Sequence, residues 1–149
     1  EEGGWYRETY RSNGQIAQSA LPDRYGGARC FATAILYLIT ADNYSRLHQV
    51  KSDEIFHFHM GDPVEMLQLG PDHTGEIFTI GPDWKAGQRP QVTVPAGIWQ
   101  GCRLAEGGKY ALLSCTVAPG FEFEDYRTGN ARELKKEFPK FSNWIDRLT

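Results

Sequence analysis

Apolar residues occur in this chain only in short runs, and Gly, Pro, Asn or Asp interrupts them at regular intervals. The runs are WYRETYR, FATAILYLIT, SRLHQV, EIFHFHM, VEMLQL, GEIFTI, QVTVP, IWQGCRL, YALLSCTV and FEFEDYR, most of them rich in β-branched or aromatic residues. Short runs bounded by turn formers are strands, not helices. Ten candidate strands within 149 residues demand two packed sheets or a barrel. The longest apolar run, from Cys30 to Thr40, is about half a membrane span and reads as a core strand, so no membrane is expected as a partner. Only the tail departs from this pattern. In NARELKKEFPKFSNWIDRL, residues Leu134, Phe138, Phe141, Trp144, Ile145 and Leu148 recur at near-helical spacing, which predicts a helical segment over about 130–148. Asn130 is placed to cap it and Pro139 to break it. The expectation is one domain over residues 1–149, with an all-β barrel over about 1–127 and a short helical tail.

Charge narrows the partners. The net charge of -3 comes from interleaved acids and bases, with no basic block of the kind that neutralises phosphates, so nucleic acid is not an expected partner. Cys30, Cys102 and Cys115 are an odd number at wide spacing without a CxxC pair. They read as reduced, partly buried thiols of a cytoplasmic protein. The sequence opens without a methionine, which implies that residues preceded it.

The densest chemistry lies in SRLHQVKSDEIFHFHMGDP, which gathers His48, His57 and His59 around Glu54. Alternation along a strand divides this group, because Glu54, Phe56, Phe58 and Met60 share one face while Ile55, His57 and His59 share the other. Parity likewise places Arg46 and His48 on a common face. VKSDE supplies turn residues for a hairpin, through which His48 would meet Glu54 on the inner face. His57 and His59 are then expected outside, on the surface or at a subunit contact. The acidic FEFEDY reads as a solvated strand face.

Two sets of residues resemble the paired motifs of the cupin superfamily: His48, Glu54 and Gly61, then Gly87, Pro95, Gly97 and Gln100. EGGWYRETYRS, SRLHQVKSDEIFHFHMGDPVEM, PQVTVPAGIWQG and CTVAPGFEFEDY further resemble the signature segments of a cupin branch classed as a domain of unknown function. The resemblance implies a double-stranded β-helix, a jelly roll with a pocket at its mouth, assembled as a homodimer. It also implies a divalent metal held by three histidines and a glutamate, but here Arg46 and Gln100 stand at two of those four positions. A metal is therefore not favoured as cofactor; were one bound, His48, Glu54 and Gln100 would hold it, with His59 joining if a bulge turned it inward. Without metal, Arg46, His48, Glu54 and Gln100 form a set suited to a small polar ligand that is sugar-like or bears a carboxylate or carbonyl. Tyr6, Phe56 and Trp99 are the expected walls. The RLH stretch resembles that of the metal-free deoxysugar epimerases. This implies an isomerase, epimerase or lyase with His48 as general base, Glu54 orienting it, and Tyr6, Tyr10 or Tyr37 as the acid. A binding or sensing module without turnover uses the same donors, and so does a metal-dependent enzyme.

Overall fold

The computed structural model describes residues 3–149; Glu1 and Glu2, the first residues of the expected barrel, lie outside the described residues. In chain order the strands are β1 (Trp5–Arg11), β2 (Gln15–Ile16), β3 (Arg29–Cys30), β4 (Thr33–Thr40), β5 (Ser45–Gln49), β6 (Asp53–Gly61), β7 (Val64–Leu69), β8 (Gly75–Ile80), β9 (Gln91–Val94), β10 (Trp99–Leu104), β11 (Tyr110–Ala118) and β12 (Arg127–Thr128). Helices α1 (Ala131–Glu137) and α2 (Ser142–Arg147) follow. One five-stranded sheet has the order β1-β4-β11-β6-β9 and the other β12-β5-β10-β7-β8, while β2 and β3 form a separate ribbon. All of these pairings are antiparallel.

Period-2 alternation builds the sandwich. β11 alternates buried and half-buried positions along most of its length, so Ala111, Leu113, Cys115 and Val117 enter the interior while Leu112, Ser114 and Thr116 face outward. Tyr37 and Phe56 from the first sheet meet Met66, Phe78 and Cys102 from the second in the core. A second apolar layer lies behind the second sheet, where Leu47, Leu67, Leu69 and Trp99 are covered by Leu134, Phe138, Ile145 and Leu148. The helical tail is thus the cover of a sheet face that would otherwise be wet. Asn130 Oδ1 accepts from the Glu133 N–H at 3.2 Å, and Pro139 opens a 3₁₀ turn (Pro139–Phe141) that divides the two helices.

Three expectations are corrected. β5 and β6 do not form a hairpin; they belong to different sheets, and residues 50–52 carry the chain across the sandwich. His48 and Glu54 therefore approach from opposite sheets. FEFEDYR is not a strand, because residues Phe123–Asp125 form a 3₁₀ turn and only Arg127–Thr128 pairs. Nor is it solvated throughout: the Asp125 carboxylate is buried against the guanidinium of Arg29, at 2.7 Å to both oxygens.

Parity also fails on β5. Between Gln100↔His48 and Cys102↔Ser45 the register against β10 slips by one residue. This bulge turns both Ser45 and His48 inward and leaves Arg46 exposed. Gly101 makes the bulge possible, since a Cβ there would lie 3.0 Å from the Ser45 carbonyl oxygen and 3.1 Å from the Leu47 nitrogen, both rigid backbone. Gly101→Ala is expected to lower stability by about 1–3 kcal/mol through overpacking, measured as a fall in the urea midpoint at unchanged slope; an unchanged midpoint would show that the bulge can relax.

Candidate functional site

Two corners carry the chain between the sheets, residues 50–52 and 95–98, and they hold each other. The Gly97 N–H donates to Val50 O at 2.8 Å, the Ala96 N–H donates to Asp53 Oδ1 at 2.8 Å, and Gln49 Nε2 donates to Gly97 O at 2.7 Å. Gly97 has φ +78, a backbone state that a side chain would oppose. Glu54 begins the strand after one corner and Gln100 lies near the start of the strand after the other. Their side chains meet in the interior, where Gln100 Nε2 donates to Glu54 Oε2 at 2.6 Å. Gln100 Oε1 is left buried without a partner among the described residues. An orphan acceptor costs about 1–3 kcal/mol, while the NH₂ of the same amide holds the carboxylate.

His48 stands in the same interior on the opposite sheet. Its Nδ1 lies 2.6 Å from the carbonyl oxygen of Arg46. A carbonyl can only accept, so Nδ1 carries a proton and the ring turns Nε2 away from that carbonyl. The Tyr126 ring stacks on the imidazole with centroids 5.0 Å apart and planes 25° from parallel. His48, Glu54 and Tyr126 line a pocket at one end of the sandwich, together with Ile35 of β4 and Cys115 and Val117 of β11. The pocket encloses about 90 Å³, enough for a few waters or the reactive end of a small ligand.

Strand β1 forms one side of the mouth through Tyr6, Glu8 and Arg11. A slip in register around Thr9 turns Glu8 and Arg11 to the same side. Arg11 bridges Glu8 Oε2 at 2.9 Å and Glu122 Oε1 at 2.7 Å. These bonds, Glu8 first, raise its pKa beyond the ordinary arginine value against the opposing effect of desolvation. Phe121 and Phe123 complete the rim, edge to face at 5.3 Å.

Residues 121–126 are set by a clamp behind them. Arg29 takes Asp125 with two 2.7 Å bonds, Glu124 with one of 2.5 Å, and the carbonyls of Gly27 and Ala28. Its pKa is raised, chiefly by the Asp125 hydrogen bonds and against desolvation. The next residue after this clamp is Tyr126, which is how an ion pair on the ribbon places a ring against His48.

Several residues expected in the pocket lie elsewhere. Arg46 is exposed by the bulge and contributes its carbonyl rather than its guanidinium. Phe56 is buried in the central core and Trp99 in the layer under the helices; Trp99 is on the outer face of its strand, with Arg127 5.3 Å above its ring. Of the three tyrosines considered as acids, Tyr6 lines the pocket. Tyr10 pairs with Ala34 on the outward side, and the Tyr37 hydroxyl donates to Gly3 O at 2.9 Å from within the core. His57 and His59 stand on the outer face, near Gln91 and Ser114 at 3.2 Å and 2.8 Å. Sequence reading missed Tyr126, Arg11 and Glu8. The first was hidden by taking its segment as a strand, the other two by the bulge in β1.

The metal that the resemblance implies is tested by the donors. His48 and Glu54 supply two, and Gln100 presents its NH₂ to the carboxylate. Among the described residues no three His, Cys, Asp or Glu side chains gather as a metal ion requires. This set does not fit a tight transition-metal site, which takes at least three N, O or S ligands from the protein.

The family described as Cupin superfamily (DUF985) matches residues 1–129. The chain belongs to that family. An uncharacterised protein of Saccharomyces cerevisiae is 28% identical over 138 residues, covering 84% of this chain, and the chain spans 66% of that relative's length. Among solved structures, a hypothetical protein from Leishmania major superposes with a TM-score of 0.86 at 28% identity, covering 99% of this chain and 90% of the other. A protein from Shewanella oneidensis does so with a TM-score of 0.85 at 30% identity, covering 99% and 87%. This cupin's jelly roll is therefore shared over nearly its whole length. No helix among the described residues is long and apolar enough to cross a membrane.

The clamp makes a prediction for the cupin's stability. Asp125→Ala strands a buried guanidinium and is expected to cost about 3–5 kcal/mol, read by urea denaturation. A loss below about 1 kcal/mol would mean that Glu124 and the two carbonyls hold Arg29 unaided.

Proposed function

We propose that this cupin binds a small polar molecule in the mouth of its barrel and that His48 exchanges a proton with it, without a transition metal. The observation that carries the reading is the 2.6 Å contact of His48 Nδ1 with the Arg46 carbonyl. It anchors the buried ring through Nδ1 and leaves Nε2 as the nitrogen to exchange a proton, in a pocket that also holds Glu54. An imidazole in that state accepts a proton from a carbon beside a carbonyl, and a carboxylate in the same low-dielectric pocket favours the imidazolium that results. Gln100 keeps the carboxylate in place. Returning the proton to the same face of the carbon gives exchange, to its opposite face epimerisation, and to the neighbouring carbon isomerisation.

The experiment is deuterium exchange. Small hydroxy- and aminoketones are incubated with the protein in D₂O after chelator treatment, and loss of the α-proton signal is followed by NMR. Wild type is expected to accelerate exchange of at least one compound, and His48→Gln to slow it by about 10²–10⁴-fold while the fold, by circular dichroism, is unchanged. Equal exchange in the variant would remove His48 from the role; binding without exchange would favour a sensing module.

Assembly as a homodimer is proposed on the family resemblance. It is supported by a cross-strand row on the outer face of the first sheet, Trp5, Leu38, Leu112 and Met60, whose end members are 69% and 54% exposed. Sedimentation at micromolar concentration is expected to give twice the chain mass, and Trp5→Glu to shift the equilibrium toward the monomer. A wild-type monomer would refute it.

A further inference from the structure

The mouth of the pocket has a charge and a surface that narrow what can enter. Two carboxylates line the pocket, Glu8 at its mouth and Glu54 within, against one guanidinium, Arg11. Arg11 is already engaged by Glu8 on one side and by Glu122, a third carboxylate, on the other. An anion would have to displace charge-assisted hydrogen bonds of 2.7–2.9 Å and would then sit beside the carboxylates it had freed. Arg46, the cation that the sequence offered for an acidic ligand, is outside the pocket and exposed.

Aromatic rings make up the rest of the rim. Tyr6 on β1 and Phe121, Phe123 and Tyr126 on the segment 121–126 line the same opening. Phe123 is 73% exposed, a large apolar side chain held in water at the edge of a cavity. Its position is built, because the clamp on Asp125 sets the turn it belongs to and Phe121 meets it edge to face. The face of an aromatic ring is negative, so rings gathered around a negatively charged opening attract a cation from both sources.

We propose that this rim is a cage for an organic cation, and that the molecule reaching His48 carries an ammonium group held by these rings with Glu8 beside it. The inference rests on the reading of the barrel mouth as a small-molecule site and specifies the class of ligand for it. Under that reading the reacting carbon lies deeper, over His48, and an ammonium near a carbonyl would itself acidify the carbon between them.

Three probes of one shape and different charge decide the matter: choline, 3,3-dimethylbutan-1-ol and 3,3-dimethylbutanoate. Each is titrated into the intact protein, and its dissociation constant is taken from NMR shifts of the His48, Phe123 and Tyr126 ring signals. Choline is expected to bind about tenfold more tightly than the neutral alcohol, and the carboxylate more weakly than either. Phe123→Leu, at an exposed position that does not bear on folding, is expected to weaken choline by about threefold to tenfold and leave the alcohol unchanged. Glu8→Gln is expected to shrink the preference for choline over the alcohol. If the alcohol or the carboxylate shifts the pocket signals with equal or greater affinity, the cage is overturned while the barrel mouth stands as a binding site. If none of the three shifts them, cage and small-molecule site fall together.

Discussion

A single buried ion pair, Arg29 with Asp125, fixes the geometry on which the pocket depends. Its two partners are 96 positions apart, one on a two-residue ribbon strand and the other in a 3₁₀ turn. Neither element has much pairing of its own, since β3 contributes two residues and the turn Phe123–Asp125 spans three. A bidentate pair in a desolvated setting has one good geometry and is costly to break. Through it the segment from Phe121 to Tyr126 gains a definite course, and with it come the two phenylalanines at the rim, the carboxylate on Arg11 and the ring on His48.

The pocket itself is assembled from opposite sheets. Glu54 and His48 are six residues apart, yet a crossover separates them, and their strands pair with different neighbours. Two corners hold the crossover through one backbone bond and through the side chains of Asp53 and Gln49 on the backbone of residues 96–97. Gln100 adds to the same end: its NH₂ holds a carboxylate while its own oxygen has no partner among the described residues, an exchange of local stability for position.

Most of the strands and the helical tail were legible in the sequence because each follows from periodicity and turn formers, which act over a few residues, whereas the division of β5 and β6 between two sheets was not. Asn130 and Pro139 did what their chemistry requires. The site was legible only in outline. His48 and Glu54 do line one pocket, but Arg46 was put beside them by strict alternation. A one-residue bulge, admitted by Gly101 on a strand fifty-five positions away in the chain, reverses that inference. The same kind of slip in β1 hid Glu8 and Arg11. Tyr126 was hidden because FEFEDYR alternates like a strand, while the bond that makes it a turn comes from Arg29. A local pattern cannot report a partner that distant, and this is where reading a strand from its own residues gives out.

The helical tail also bears on how the molecule avoids its own kind. Its last turn reaches β5, where the Leu47 N–H donates to Leu148 O at 2.7 Å, and the chain leading into it returns a bond from the Gly129 N–H to Leu47 O, also 2.7 Å. β5 is otherwise flanked on that side by only the two residues of β12. Without the tail, the strand bearing His48 would offer unpaired main-chain groups next to a bare apolar face, a template for strands of other molecules. The two short helices thus guard a sheet edge, and the segment least like a barrel covers the face and the main-chain groups that the barrel leaves open.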